Sequence, residues 1–296
     1  MDINIARFNR IIDLKLETSD GKSIVIKCPR HGRKPSIEIS GSYNSRGFLP
    51  AFNVTVKNLY LNLQTEQYSK ITVEAGYAGT VKGSTVTIEG TILTIYQEEP
   101  GPEGRTVIQC QQGEMQSWLD ATVQLDYEEN TSITEILEAI KNKLGATDVK
   151  TGTKARTLTT KQPFKHDGTA RSAMLKLESC FKDNDLVVFL RENTLYAEIM
   201  GEGDFIGIKV LKYISAPPQP NTGGSKGTYY TTVTAPWIPD LNLFDKLQIP
   251  SSVYIKNYGL VGNATNKTQN IQVTTLSFHF GTTGNVNSMT VQGPLA

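Results

Sequence analysis

The sequence predicts a mainly β protein with a small α+β insert: two antiparallel β units, each a barrel or a sandwich, flanking a middle segment. Apolar side chains recur at every second residue through most of residues 1–112, with no helical stripe between them. Two helical stripes, the first with a capping box and a glycine stop, stand in residues 113–204, and alternation returns over residues 205–296. Strands that follow strands directly must bury their apolar faces on one another. The flanking units are similar in length, which suggests a duplicated fold, although no residue-level repeat joins them.

The elements follow in order. Ile12, Leu14 and Leu16 alternate, Ser19-Asp20-Gly21-Lys22 turns the chain, and Ile24 and Ile26 resume the alternation, so this stretch reads as a hairpin. Ile37 and Ile39 form the next strand, then Phe52, Val54 and Val56. At Lys57-Asn58 the phase slips, and Leu59, Leu61 and Leu63 continue on the shifted register, as at a bulge or tight corner. Ile71, Val73, Ala75 and Tyr77 make a further strand. Val86, Ile88, Ile92 and Ile95 make another, with Gly90 a second candidate bulge. Pro100-Gly101-Pro102-Glu103-Gly104 then turns the chain into a strand over Thr106 to Gln111.

The middle segment changes period. TSITEILEAIKNKLG carries a capping box, Ser132 as N-cap and Glu135 at N3, a stripe of Ile133, Ile136, Leu137, Ile140 and Leu144, and a stop at Gly145. A second helix is expected over Thr169 to Lys182, with Ala170, Ala173, Met174, Leu177 and Phe181 facing inward. Leu186 to Leu190, the turn Glu192-Asn193 and Leu195 to Ile199 read as a hairpin. Beyond residue 205, Ile206, Ile208 and Val210 alternate. A loop, APPQPNTGGSKGT, leads to the strand TYYTTVTAP. A corner holding Pro236, Pro239 and Pro250 precedes the closing strands IQVTTLSFHFG and VNSMTVQG.

Charge says little about a partner. The net charge is +1, which argues against general nucleic-acid binding through a basic face. Cut at residues 112 and 200, the chain holds 13 basic and 11 acidic residues, then 11 and 14, then 6 and 4. The last stretch is charge-poor and rich in Thr, Asn, Ser and Gly. Three dispersed cysteines, Cys28, Cys110 and Cys180, suggest reduced thiols buried as small hydrophobes. MDINIARFNR has no signal-peptide pattern, and no apolar run reaches the length of a membrane span, so synthesis and folding in the cytosol are expected.

No motif carries catalytic chemistry. Cys28-Pro-Arg-His31 supplies two zinc donors but no second pair. Asp183-Asn184-Asp185 lacks the glycine and glutamate of a calcium loop and reads as a helix-ending turn. Gly21-Lys22-Ser23 lacks the upstream glycine of a P-loop, and Gly223, Gly224 and Gly227 match no nucleotide fingerprint. His31, His166 and His279 have no recognisable nucleophile elbow. Glu98-Glu99 and Glu128-Glu129 would point to opposite faces of a strand. Asn-x-Ser/Thr sequences at Asn53, Asn130, Asn263 and Asn266 are ascribed to chance. No catalytic, cofactor-binding or metal residue is expected, and none can be assigned to an interface.

The run LPAFNVTVKNLYLNLQTEQYSKITVEAGYAG, continued by VTIEGTILTIYQ and RTVIQCQQG, resembles the first β domain of bacteriophage tail baseplate hub proteins. In that family an Ala-Gly-Tyr strand, here Ala75-Gly76-Tyr77, precedes a strand with a central glycine, here Gly90, and a third ending in a polar, Gly-terminated stretch, here Ile108 to Gly113. The helix TSITEILEAIKNKLG and the run GTARSAMLKLESCFKDNDLVVFLRENTLYAEI resemble the middle domain. TAPWIPDLNLFDKLQIPS followed by LSFHFG resembles the second β domain. The order of motifs holds over nearly the whole chain. One departure is the corner, often Pro-Gly-Asp in the family and Leu243-Phe244-Asp245 here.

The resemblance implies two tail-tube-like domains, residues 1–112 and 205–296, flanking a middle domain, residues 113–204. It implies a homotrimer whose six similar β domains form a ring, with the tail-tube protein on one face and the spike protein on the other. Other baseplate proteins would be further partners, DNA would meet the chain only in transit through the channel, and no cofactor is required. The chain ends soon after the second β domain, which leaves no room for an appended enzymatic or spike domain. The alternative is a carbohydrate- or receptor-binding tail module, for which Tyr213, Tyr229, Tyr230 and Trp237 are the crowded aromatics. A wall-cleaving hydrolase is a third reading, with no residues to carry it.

Overall fold

A computed structural model describes residues 10–27, 36–44, 51–57, 67–77, 85–98, 104–112, 119–191, 194–200, 208–210, 219–221, 230–249, 269–282 and 287–294. The expectations at Cys28, His31, Leu59 to Leu63, Pro100 to Glu103, the turn at 192–193, Tyr213, Gly223 to Gly227, Tyr229 and Pro250 lie outside them.

Strands β1 (Arg10–Glu17) and β2 (Ser23–Lys27) form the expected hairpin, paired from Asp13↔Lys27 to Glu17↔Ser23. Gly21 adopts φ +84 in its turn, and its N–H donates to Thr18 O at 3.1 Å. The first β segment continues with β3 (Ser36–Asn44), β4 (Ala51–Lys57), β5 (Lys70–Tyr77), β6 (Thr85–Gln97) and β7 (Arg105–Gln112).

The middle segment holds β8 (Thr122–Tyr127), α1 (Ile133–Leu144), β9 (Asp148–Thr151), β10 (Phe164–Thr169), α2 (Ala170–Cys180), β11 (Leu186–Arg191) and β12 (Thr194–Ile199). The last segment holds β13 (Ile208–Val210), β14 (Gln219–Asn221), β15 (Tyr230–Ala235), β16 (Lys246–Ile249), β17 (Gln269–Gln272), β18 (Thr275–Gly281) and β19 (Asn287–Pro294).

Eleven strands form one sheet in the order β14-β15-β19-β18-β3-β4-β7-β6-β5-β1-β2. The two β segments are therefore hydrogen-bonded to each other, through β18 and β3 from Thr275↔Asn44 to Gly281↔Glu38. A duplication is visible in the strand order. In β3-β4-β7-β6 the second strands of two hairpins lie side by side, with the first strands outside them; β14-β15-β19-β18 repeats that arrangement. A second sheet, β13-β16-β17, lends Leu247, Ile249 and Ile271 to the same core as Ile12, Val54, Ile108, Phe280 and Val291. At the sheet-to-sheet contact only glycine fits: a Cβ on Gly293 would stand 1.7 Å from Gln272 O.

The helices stop where their caps dictate. Ser132 Oγ accepts from the Thr134 N–H at 3.2 Å, so the cap bond goes to N2 rather than to Glu135 at N3. Gly145 closes α1 at φ +77. Thr169 caps α2 through the Ser172 N–H at 3.2 Å. The inward faces are those expected, and they pack with Val123, Leu125, Phe164, Val188 and Leu195 in a second core. The short strands β8, β9 and β10 were not expected. They are four to six residues long, and β9 is held by a parallel pairing to β12 that periodicity cannot reveal.

Several local expectations are corrected. Gly90 keeps its register with Ile71, and the irregularity in β6 falls between Ile92 and Thr94, leaving Leu93 unmatched. Glycine at 90 answers a different need, because a Cβ there would stand 2.8 Å from the Phe52 ring. Cys110 is buried, but Cys180 at the end of α2 is exposed. Glu128 and Glu129 lie in an exposed turn, not on a strand. Asp183-Asn184-Asp185 does end the helix, as a 3-10 turn closing on Asp185 at φ 53.

Candidate functional site

Among the described residues no group of His, Cys, Asp or Glu is arranged to hold a metal ion. One His–Ser contact went unanticipated: Ser172 Oγ lies 3.1 Å from His166 Nε2. That hydroxyl donates to Thr169 O at 2.7 Å, and Thr169 Oγ1 lies 3.1 Å away. This is the capping cluster at the start of α2, with the serine hydrogen committed to a backbone carbonyl. His279 lies on β18 as expected, exposed, with Nε2 3.5 Å from Glu38 Oε2. The Cys110 thiol is pushed up to about 12 by burial, which removes it as a nucleophile. Trp237 is buried, stacked on Phe278 with centroids 5.2 Å apart, so it forms no part of an exposed aromatic group.

What the chain presents instead is a surface. The core claims one face of every long strand in the large sheet, and the register aligns what stands on the other. Across β19, β18, β3, β4 and β7 one row runs Thr290, Ser277, Ser42, Ala51, Gln111, and the next runs Ser288, His279, Ser40, Asn53, Gln109. Apart from Ala51 these are hydroxyl and amide groups with a single titratable member, His279. At the β5-β1-β2 end the same face carries Lys70 and Glu74, Asp13, Lys15 and Glu17, and Lys27. Lys57 and Glu38 form an ion pair at the rim of the neutral area. The joint between the two β segments thus runs through this neutral area and ends at the charged Glu38.

A second joint fastens the middle segment to the corner before β16. Asp245 is fully buried; its Oδ1 accepts from Arg191 Nη1 at 3.1 Å and its Oδ2 from the Asn242 N–H at 2.9 Å. Phe244 stacks on Phe189 with centroids 4.2 Å apart, and Phe189 stacks on Tyr196 at 5.2 Å. Phe244 takes φ 63, and its N–H reaches Val273 O at 2.7 Å. A phenylalanine thus holds the left-handed conformation that a glycine would adopt without strain. Sequence reasoning flagged this corner by its prolines and missed the pairing. The available signal was Asp245 itself, one of four acidic residues beyond residue 200.

No known protein family and no curated protein matches the sequence. Solved structures do match the fold. The 43 kDa tail protein of prophage MuSo2 from Shewanella oneidensis aligns over 97% of this chain and 98% of its own, with TM-score 0.55 and 10% identity. A tail protein from Neisseria meningitidis MC58 aligns over 97% of each chain, with TM-score 0.57 and 8% identity. An E. coli component of the type VI secretion system, described as structurally similar to the T4 bacteriophage tail proteins gp27 and gp5, aligns over 90% of this chain and 76% of its own, with TM-score 0.56 and 8% identity. The fold is that of phage tail proteins.

Proposed function

We propose that this chain is the hub of a phage-type tail baseplate, a structural adaptor and not an enzyme. Three copies set six four-stranded units in a ring, which meets a six-fold tail tube on one face and a three-fold spike on the other. One observation carries this reading. The duplicated strand order is joined head to tail within a single sheet, so one chain already contains two similar units paired edge to edge, the kind of contact a ring of such units would repeat. The full-length fold likeness to tail proteins supports it.

The neutral face suits the wall of a conduit. Nucleic acid is held by lysine and arginine through its phosphates, and a face of Ser, Thr, Asn and Gln lets a polyanion pass without being retained. In this reading DNA is a passenger, the tube and spike proteins are the partners, and residues 1–112, 113–204 and 205–296 are the three domains. Native mass spectrometry over a range of concentrations tests it, alone and with tube and spike proteins added. A discrete trimer is expected; a chain that stays monomeric with both partners present overturns the proposal.

A further inference from the structure

Leu93 and Tyr96 are large apolar side chains left 55% and 39% exposed. Both lie in the second half of β6, beyond Thr91, where its pairing with β5 ends; β7 pairs this half through Tyr96↔Val107 and Gln97↔Thr106. In the duplicated order β6 and β18 correspond, each the first strand of its unit's second hairpin, and β3 corresponds to β14. Their surroundings differ. β18 lies beside β3 of the other unit, and its residues on the neutral face are Ser277 and His279. β14 has β15 on one side and, among the described residues, no strand on the other.

From β14 to β6 all neighbouring strands are antiparallel, so the two ends of this eight-stranded run point in opposite directions. A second copy can therefore set its β14 antiparallel beside β6, just as β3 lies beside β18. We infer that Leu93 and Tyr96 mark the surface on which the β14 end of a second copy docks, so that the junction made inside the chain recurs between chains. The inference rests on the hub reading and names its interface. Such a contact is heterologous and closes into a ring when the rotation permits. Pro220 in β14 has no N–H to donate, so this junction has fewer backbone donors available than β18–β3 and leans more on the apolar pair.

The test replaces Tyr96 in the full chain with the photo-crosslinker p-benzoylphenylalanine and maps the products by mass spectrometry. Crosslinks from position 96 to residues 219–235 of another copy are expected. Leu93→Asp should weaken association by about tenfold or more while the monomer's thermal melt stays that of the parent. A trimer whose crosslinks fall elsewhere, or one that Leu93→Asp leaves intact, overturns this inference and leaves the hub reading standing. A chain that stays monomeric with tube and spike proteins overturns both.

Discussion

Phe244 shows how one residue can hide a corner from sequence reasoning. The corner expects a residue comfortable at positive φ, and Leu243-Phe244-Asp245 reads as a poor match for Pro-Gly-Asp. Yet Phe244 adopts φ 63, because its ring gains the stack on Phe189. Phe244→Ala should cost about 3 kcal/mol, from the lost ring, with the backbone strain unchanged. Phe244→Gly should cost about 1 kcal/mol less than that, despite its smaller side chain, because glycine accepts the conformation. Urea unfolding of both variants checks the order; a less stable glycine variant would show that the backbone is not strained. Cys110 gives a pH test. Its folded value is raised from 9.0 to about 12, so its contribution is complete below pH 9 and is lost as pH rises toward 12. Melting temperatures measured across that window should fall less steeply in Cys110→Ala.

At the scale of the element, the strand β6 departs from its pattern where packing decides. Periodicity identifies the strand, and a central glycine suggests a bulge. The structure instead uses Gly90 to admit the ring of Phe52, two strands away across β7. Gly90→Ala forces that ring to move and should destabilise by about 1–3 kcal/mol. Adding Phe52→Leu should recover part of the loss, which a double-mutant cycle in urea measures. Additive losses would sink this account of the glycine. The bulge falls at Leu93, where an extra residue lets Ile92 and Ile95 both face the core. Alternation alone cannot place it, since Leu93 is as apolar as Ile92 before it.

For the whole molecule, the middle segment is tied to the last β segment by Arg191 and Asp245, with the stacked rings beside them. Asp245→Ala leaves the largely buried Arg191 cation without its partner and should cost about 3 kcal/mol or more. Arg191→Met with Asp245→Leu should recover much of that, because the pair's own net contribution is small. Calorimetry of the single and double variants decides it, and a double variant no better than Asp245→Ala would mean that the Asn242 N–H bond dominates.

Local sequence suffices for the class of fold, the hairpin at residues 10–27, both helices, and the capping residues of α1. Each is written in local period, turn residues or capping residues, within a few positions of one another. Long-range packing is what places the two β segments in one sheet and one core, pairs β9 in parallel with β12, and buries Trp237. It also decided that Asp245 serves Arg191, 54 positions away. Those outcomes depend on contacts between residues distant along the chain, and strand alternation says which face is apolar without saying what will cover it.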